Sequence, residues 1–159
     1  MNENIIVITP DDTITTANYN GYNSLKEVVD GCIERFHCME LDFSLPHLEE
    51  KDVLGINFYC NEEFLISDDE QFDKVNAIAS LISGQEIRGN VAMTVCDGYD
   101  EEERGFQQGR ETNVMEKILE RYVEGNKEKI ANLHKEFDGN KSEPTFEVMS
   151  YDEWKDRER

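Results

Sequence analysis

The chain has 159 residues, enough for one domain with its own core and short for two. Its 36 acids against 16 bases leave a formal net charge of −20, which argues against direct binding of nucleic acid or of an anionic membrane, since both need Lys and Arg. Hydrophobic residues make up 38% and charged residues 33%, an apolar share low enough to imply exposed helix or tail beside the core, and no run of about 18 apolar residues marks a membrane span.

Residues 1–8 carry no basic n-region and no cleavage site, and they read as a first strand, Ile5-Ile-Val-Ile8, in place of a signal peptide. Pro10-Asp11-Asp12 predicts a turn, and Thr13-Ile-Thr-Thr-Ala17 a second strand paired with the first as a hairpin. Ser24-Leu-Lys-Glu27 has the capping-box pattern; apolar periodicity alone carries a helix on to Phe36, whereas Gly31 favours a short helix over 24–30 followed by a strand over 32–41. A loop at 42–52 precedes a strand over 53–60 and a turn at Asn61-Glu62-Glu63. Ser67-Asp-Asp-Glu70 is a second capping-box pattern, and the stripe Phe72, Val75, Ile78, Ala79 and Ile82 predicts a helix over 69–83, ended by Gly84. A strand follows over 87–96.

The order β-β-α-β-β-α-β predicts an α+β domain over 1–97, a mixed sheet with helices packed on one face. Residues 98–110 read as a polar linker. A helical extension, 111–159, contains a long helix over 111–137 that Gly125-Asn126 breaks into an αα-hairpin. A short strand at 145–149 and a final helical turn carrying Trp154 close the chain.

The charge is unevenly placed. Residues 1–100 hold twenty acids and only five bases (Lys26, Arg35, Lys51, Lys74 and Arg88), so the first domain is nearly stripped of positive charge. Such a surface is drawn over long range to a basic cleft, associates fast and is sensitive to salt.

Conventional sites find little support. Cys32 and Cys38, with His37 beside the latter, lack the short paired spacings of a zinc site and read as core and edge residues. The acid run of residues 97–103 departs from the calcium-loop pattern. No nucleophile elbow, zinc-protease helix, phosphate loop or dinucleotide fingerprint occurs. Without an export signal, the cysteines Cys32, Cys38, Cys60 and Cys96 read as reduced, buried thiols. The expectation is a cytoplasmic protein with no cofactor and no metal.

Ser24-Leu-Lys-Glu-Val-Val-Asp-Gly31 before a strand, Asn61-Glu62-Glu63, Asn76-Ala77-Ile-Ala79 and Ile87-Arg-Gly89-Asn90-Val91 together resemble an uncharacterised phage and mobile-element family catalogued as domain of unknown function 3846. The resemblance covers residues 3–96 and leaves 97–159 outside it, and the 42–52 loop is longer than the family's. It implies a mobile-element setting, where small acidic inhibitors of host defence occur, and it assigns no catalytic residue.

The leading expectation is therefore a non-enzymatic acidic mobile-element protein that binds and inhibits a basic-surfaced host protein, a nucleic-acid-processing defence enzyme, as an anti-defence protein or a nucleic-acid mimic. Candidate contacts are Glu62, Glu63, Asp68, Asp69, Asp100, Glu101, Glu102 and Glu103, with Trp154 in a C-terminal aromatic patch. The alternatives are a module binding a small ligand or divalent ion, and an enzyme with an unrecognised site.

Overall fold

The computed structural model describes residues 3–36, 53–97 and 102–140, and their side chains except at 53–55, 96–97 and 102. The elements in chain order are β1 (Glu3–Ile8), β2 (Ile14–Asn18), α1 (Tyr22–Val29), β3 (Ile33–Phe36), β4 (Val53–Asn61), a 3-10 turn (Glu70–Phe72), α2 (Ala77–Ser83), β5 (Val91–Asp97), β6 (Glu102–Arg104), β7 (Phe106–Gln107), α3 (Glu111–Gly125) and α4 (Lys127–Phe137). They form a seven-stranded sheet in the order β2-β1-β5-β4-β3, with β6 beside β5 and β7 beside β1.

The α+β class holds, with two corrections of detail. The sheet expected as mixed is antiparallel in every described pairing. The seven-residue α2 spans only about 10 Å against about 30 Å for β4, so by itself it does not run the length of the strand as a crossover helix does. The helices also lie on both faces. Ile6, Ile8, Phe58, Val91, Met93 and Val95 point to one face and join Ile78, Ile82, Met115, Leu119 and Ile130 of α2, α3 and α4. Ile5, Val7 and Ala92 point to the other and are covered by Leu25 and Val29 of α1. The run Ile5-Ile-Val-Ile8 is apolar at successive positions, so alternation along the strand demands cover on both sides.

Local signals were met unevenly. The hairpin of β1 and β2 forms as expected, pairing Ile5 with Ala17 and Val7 with Thr15. Gly84 ends α2 at φ 76, and α3 breaks from α4 at Asn126. Helix α1 ends at Val29, and Gly31 follows at φ 152, where an added Cβ would lie 2.5 Å from Asn61 Nδ2. Asn61 fills that space, donating from Nδ2 to the carbonyls of Val29 and Asp30, each at 3.1 Å. The first capping box does not form. Helix α1 starts at Tyr22 with Gly21 as its cap, so Ser24 falls inside the first turn, where its Oγ donates to Gly21 O at 2.6 Å.

The helix expected over 69–83 is split. Asp69 caps only the 3-10 turn, and α2 starts after Asn76. The break follows from a tertiary demand, since Val75 bridges to Arg88 and the fully buried Asn76 donates to Ile8 O at 2.9 Å and Gly89 O at 2.8 Å. The expected strand at 87–96 correspondingly begins only at Val91.

Residues 98–110, read as a polar linker, include two strands of the sheet. β5 pairs with β1 only as far as Met93, opposite Ile6. Beyond that point β6 takes the edge of β5 and β7 the edge of β1. Arg104 and the buried Glu111 then tie this insertion to the start of α3 through bonds of 2.5 and 2.8 Å. The segments expected at 42–52, 145–149 and around Trp154 lie outside the described residues.

Candidate docking surface and sheet-face carboxylate

The connection from β4 to α2 carries six acids, namely Glu62, Glu63, Asp68, Asp69, Glu70 and Asp73, and a single base, Lys74. All six are exposed, while Phe64 and Phe72 are buried and anchor the segment to the core. The amides of Ile66 and Ser67 both donate to the Glu63 carbonyl, at 3.0 and 2.9 Å, and fold it tightly. Ile66, half exposed at 52%, sits at the tip between the acids. Asp69 accepts from the Gln71 amide at 3.1 Å, and that backbone bond holds its carboxyl below the usual range. Gln71 Nε2 reaches Asp30 Oδ2 at 2.7 Å, adding the acid at the end of α1 to this surface.

The described bases of the first hundred residues do little to offset these acids. Arg88 is fully buried and spends its guanidinium on Glu86 and on the carbonyls of Phe72, Asp73 and Phe137. Lys74 pairs with Asp11 at 2.8 Å, and Lys26 sits 5.6 Å above the Tyr22 ring. Among the described residues, none of the six acids makes an ion pair.

Of the other predicted contacts, Asp100, Glu101 and Trp154 lie outside the described residues, and Glu102 opens β6 with its side chain likewise outside them. Glu103 is corrected. It was expected as an exposed acid, but pairing opposite Cys96 turns it onto the sheet face that α1 only half covers. There Thr94 Oγ1 donates to Glu103 Oε2 at 3.0 Å, Asn57 Nδ2 donates to the same oxygen at 3.1 Å, and Tyr59 Oη donates to it as well. Tyr19 Oη donates to Oε1 at 3.2 Å. Burial and the neighbouring Glu103 charge push the Tyr19 hydroxyl up to about 12, and burial with the Glu103 hydrogen bond raises Tyr59 too. Both phenols therefore stay protonated at neutral pH.

The partners of Glu103 were missed in the sequence, although a signal existed. Asn57 and Tyr59 alternate along β4 on the face shared with Arg35 of β3. Period two thus marked a polar stripe in an otherwise apolar strand.

Of the four cysteines, Cys38 and the side chain of Cys96 lie outside the described residues. Cys60 is buried, and burial pushes its thiol up to about 12, far from a nucleophile. Cys32, expected to be buried, is exposed, because it falls in the turn between α1 and β3. Among the described residues no three His, Cys, Asp or Glu side chains are placed to hold a metal ion, and no helix is long and apolar enough to cross a membrane.

Compared with known proteins, the chain matches no family model, no curated protein and no solved structure.

Proposed function

We propose that this protein acts by binding, without catalysis, and docks its β4–α2 loop on the basic surface of a partner protein. The observation that carries the reading is the loop itself: six exposed acids against one base, Lys74, which is taken by Asp11, folded around the exposed Ile66 and held by two buried phenylalanines. The carboxylates supply long-range attraction and orientation, and the isoleucine supplies an apolar contact once water is expelled. A groove that receives nucleic acid phosphates is the complementary surface, so occupation by this loop inhibits its owner. The resemblance to the phage and mobile-element family adds a setting in which that owner is a nucleic-acid-processing defence enzyme of the host.

The test is capture from host lysate with the wild-type chain and with a folded variant carrying Glu62→Lys, Glu63→Lys, Asp68→Lys and Asp69→Lys. A basic nucleic-acid enzyme retained at low salt should be released near roughly 0.5 M salt, where the Debye length is only a few Å. The variant should bind that enzyme on the order of tenfold more weakly or worse. Equal capture by the folded variant overturns the assignment to this loop, and capture that survives high salt overturns an electrostatic mode of docking.

A further inference from the structure

We infer that the half-covered sheet face around Glu103 is a receptor for one organic cation, the ammonium or guanidinium group of a small amine or of a basic side chain. The inference is independent of the acidic loop and rests on how the hydrogen atoms are distributed. The hydroxyl protons of Tyr19, Tyr59 and Thr94 are all directed at the Glu103 carboxylate. Thr94 is fully buried, so the hydroxyl oxygens open to an incoming group are those of Tyr19 and Tyr59, and each presents only lone pairs. One carboxylate oxygen, Oε2, already receives three donors, whereas Oε1 receives only the 3.2 Å bond from Tyr19 and keeps acceptor capacity.

That carboxylate makes no direct ion pair among the described residues. The closest described base on this face is Arg35. It is exposed, and it reaches no further than Asn57 Oδ1 at 3.5 Å. Glu3 adds a second carboxylate at the margin, accepting from the Gly105 amide at 3.0 Å. A half-buried negative charge ringed by acceptors and two phenol rings excludes anions and gives neutral donors little advantage. It favours a group that brings both positive charge and several N–H donors. The raised phenol pKa values keep the tyrosines neutral donors to Glu103 and preserve this pattern at physiological pH.

The experiment is an NMR titration of the full chain carrying 13C-labelled tyrosine rings. The probes are methylguanidinium chloride and n-butylammonium chloride, capped tripeptides with a central Arg or Lys, and sodium chloride and n-butanol as controls. The expected result is a saturable shift of the Tyr19 and Tyr59 rings by the organic cations, with a dissociation constant of about 10 mM or tighter, and none by the controls. Tighter binding of the tripeptides assigns the site to a protein side chain, and tighter binding of the free amines assigns it to a small molecule. Glu103→Gln should weaken binding by about tenfold or more. Arg35→Gln lies on the exposed edge and leaves the fold intact, so it serves even if the first variant does not fold. By removing the competing charge it should tighten binding several-fold. Shifts that sodium chloride reproduces, or affinities that neither substitution moves, overturn the inference and leave Glu103 as a structural clamp of β6 on β4 and β5.

Discussion

Asn76 joins three parts of the molecule with a single side chain. Its Nδ2 donates to carbonyls in β1 and in the turn before β5, and its Oδ1 accepts from the Ala79 amide at the start of α2. The residue is fully buried, so its removal strands two carbonyls and one amide away from water. Asn76→Ala should cost about 3 kcal/mol, measured as a lowered urea midpoint at unchanged m-value. Retained stability would mean that the cavity hydrates its orphaned groups without loss. Glu103 and Glu62 illustrate the opposite lesson. Both stand in runs of acids, yet one is exposed and one is turned into a ring of hydroxyls. Composition treats them alike, because what separates them is the strand register that fixes the face each occupies.

At the level of elements, the insertion of β6 and β7 between β1 and β5 depends on Gly105. A Cβ there would lie 2.7 Å from Tyr19 Cβ and 2.9 Å from Glu3 Cβ, with the Asn4 amide nitrogen at 3.0 Å. Gly105→Ala should therefore destabilise by about 2 kcal/mol through overpacking, and amide exchange should accelerate first at Asn4 and Phe106, which face each other there. Uniform acceleration across the sheet would argue that the insertion is not a separate weak point. This element was hidden in the sequence because its strands are two and three residues long, too short to show a period. The longer elements were legible for the complementary reason. β1 and β4 have apolar runs, and α3 and α4 have stripes at helical spacing with a break at Gly125-Asn126. The capping boxes misled, since Ser24 and Ser67 match the pattern but the backbone starts each helix elsewhere.

Across the whole molecule, His134 of α4 closes the chain's last described helix onto its first turn. Its Nε2 meets Asp12 at 2.8 Å, in the β1–β2 turn, and its Nδ1 meets Asp138 at 2.9 Å. Burial opposes its charge, but the hydrogen bonds and charges of the two aspartates outweigh it and hold its pKa above the ordinary 6.5. A group whose pKa is raised on folding favours the fold in its protonated form. Its contribution is complete below the unfolded value and is lost as pH rises through the folded value. Stability should fall as pH climbs from 6.5 through that range, and His134→Gln should flatten the dependence. A wild-type profile parallel to the variant's would remove His134 as the source. The surrounding charges, including the Lys74 and Asp11 pair nearby, are present in both proteins and cancel in the comparison. By itself the sequence determined the acidity, the α+β class, the hairpin, the short first helix and the split between α3 and α4, because each follows from composition or from contacts between near neighbours in the chain. Only the tertiary structure decided the antiparallel order, the late start of α2 and the carboxylate enclosed by Tyr19, Asn57, Tyr59 and Thr94. Those depend on which residues distant in sequence share a sheet face, and that is set by register and burial between strands that no local pattern encodes.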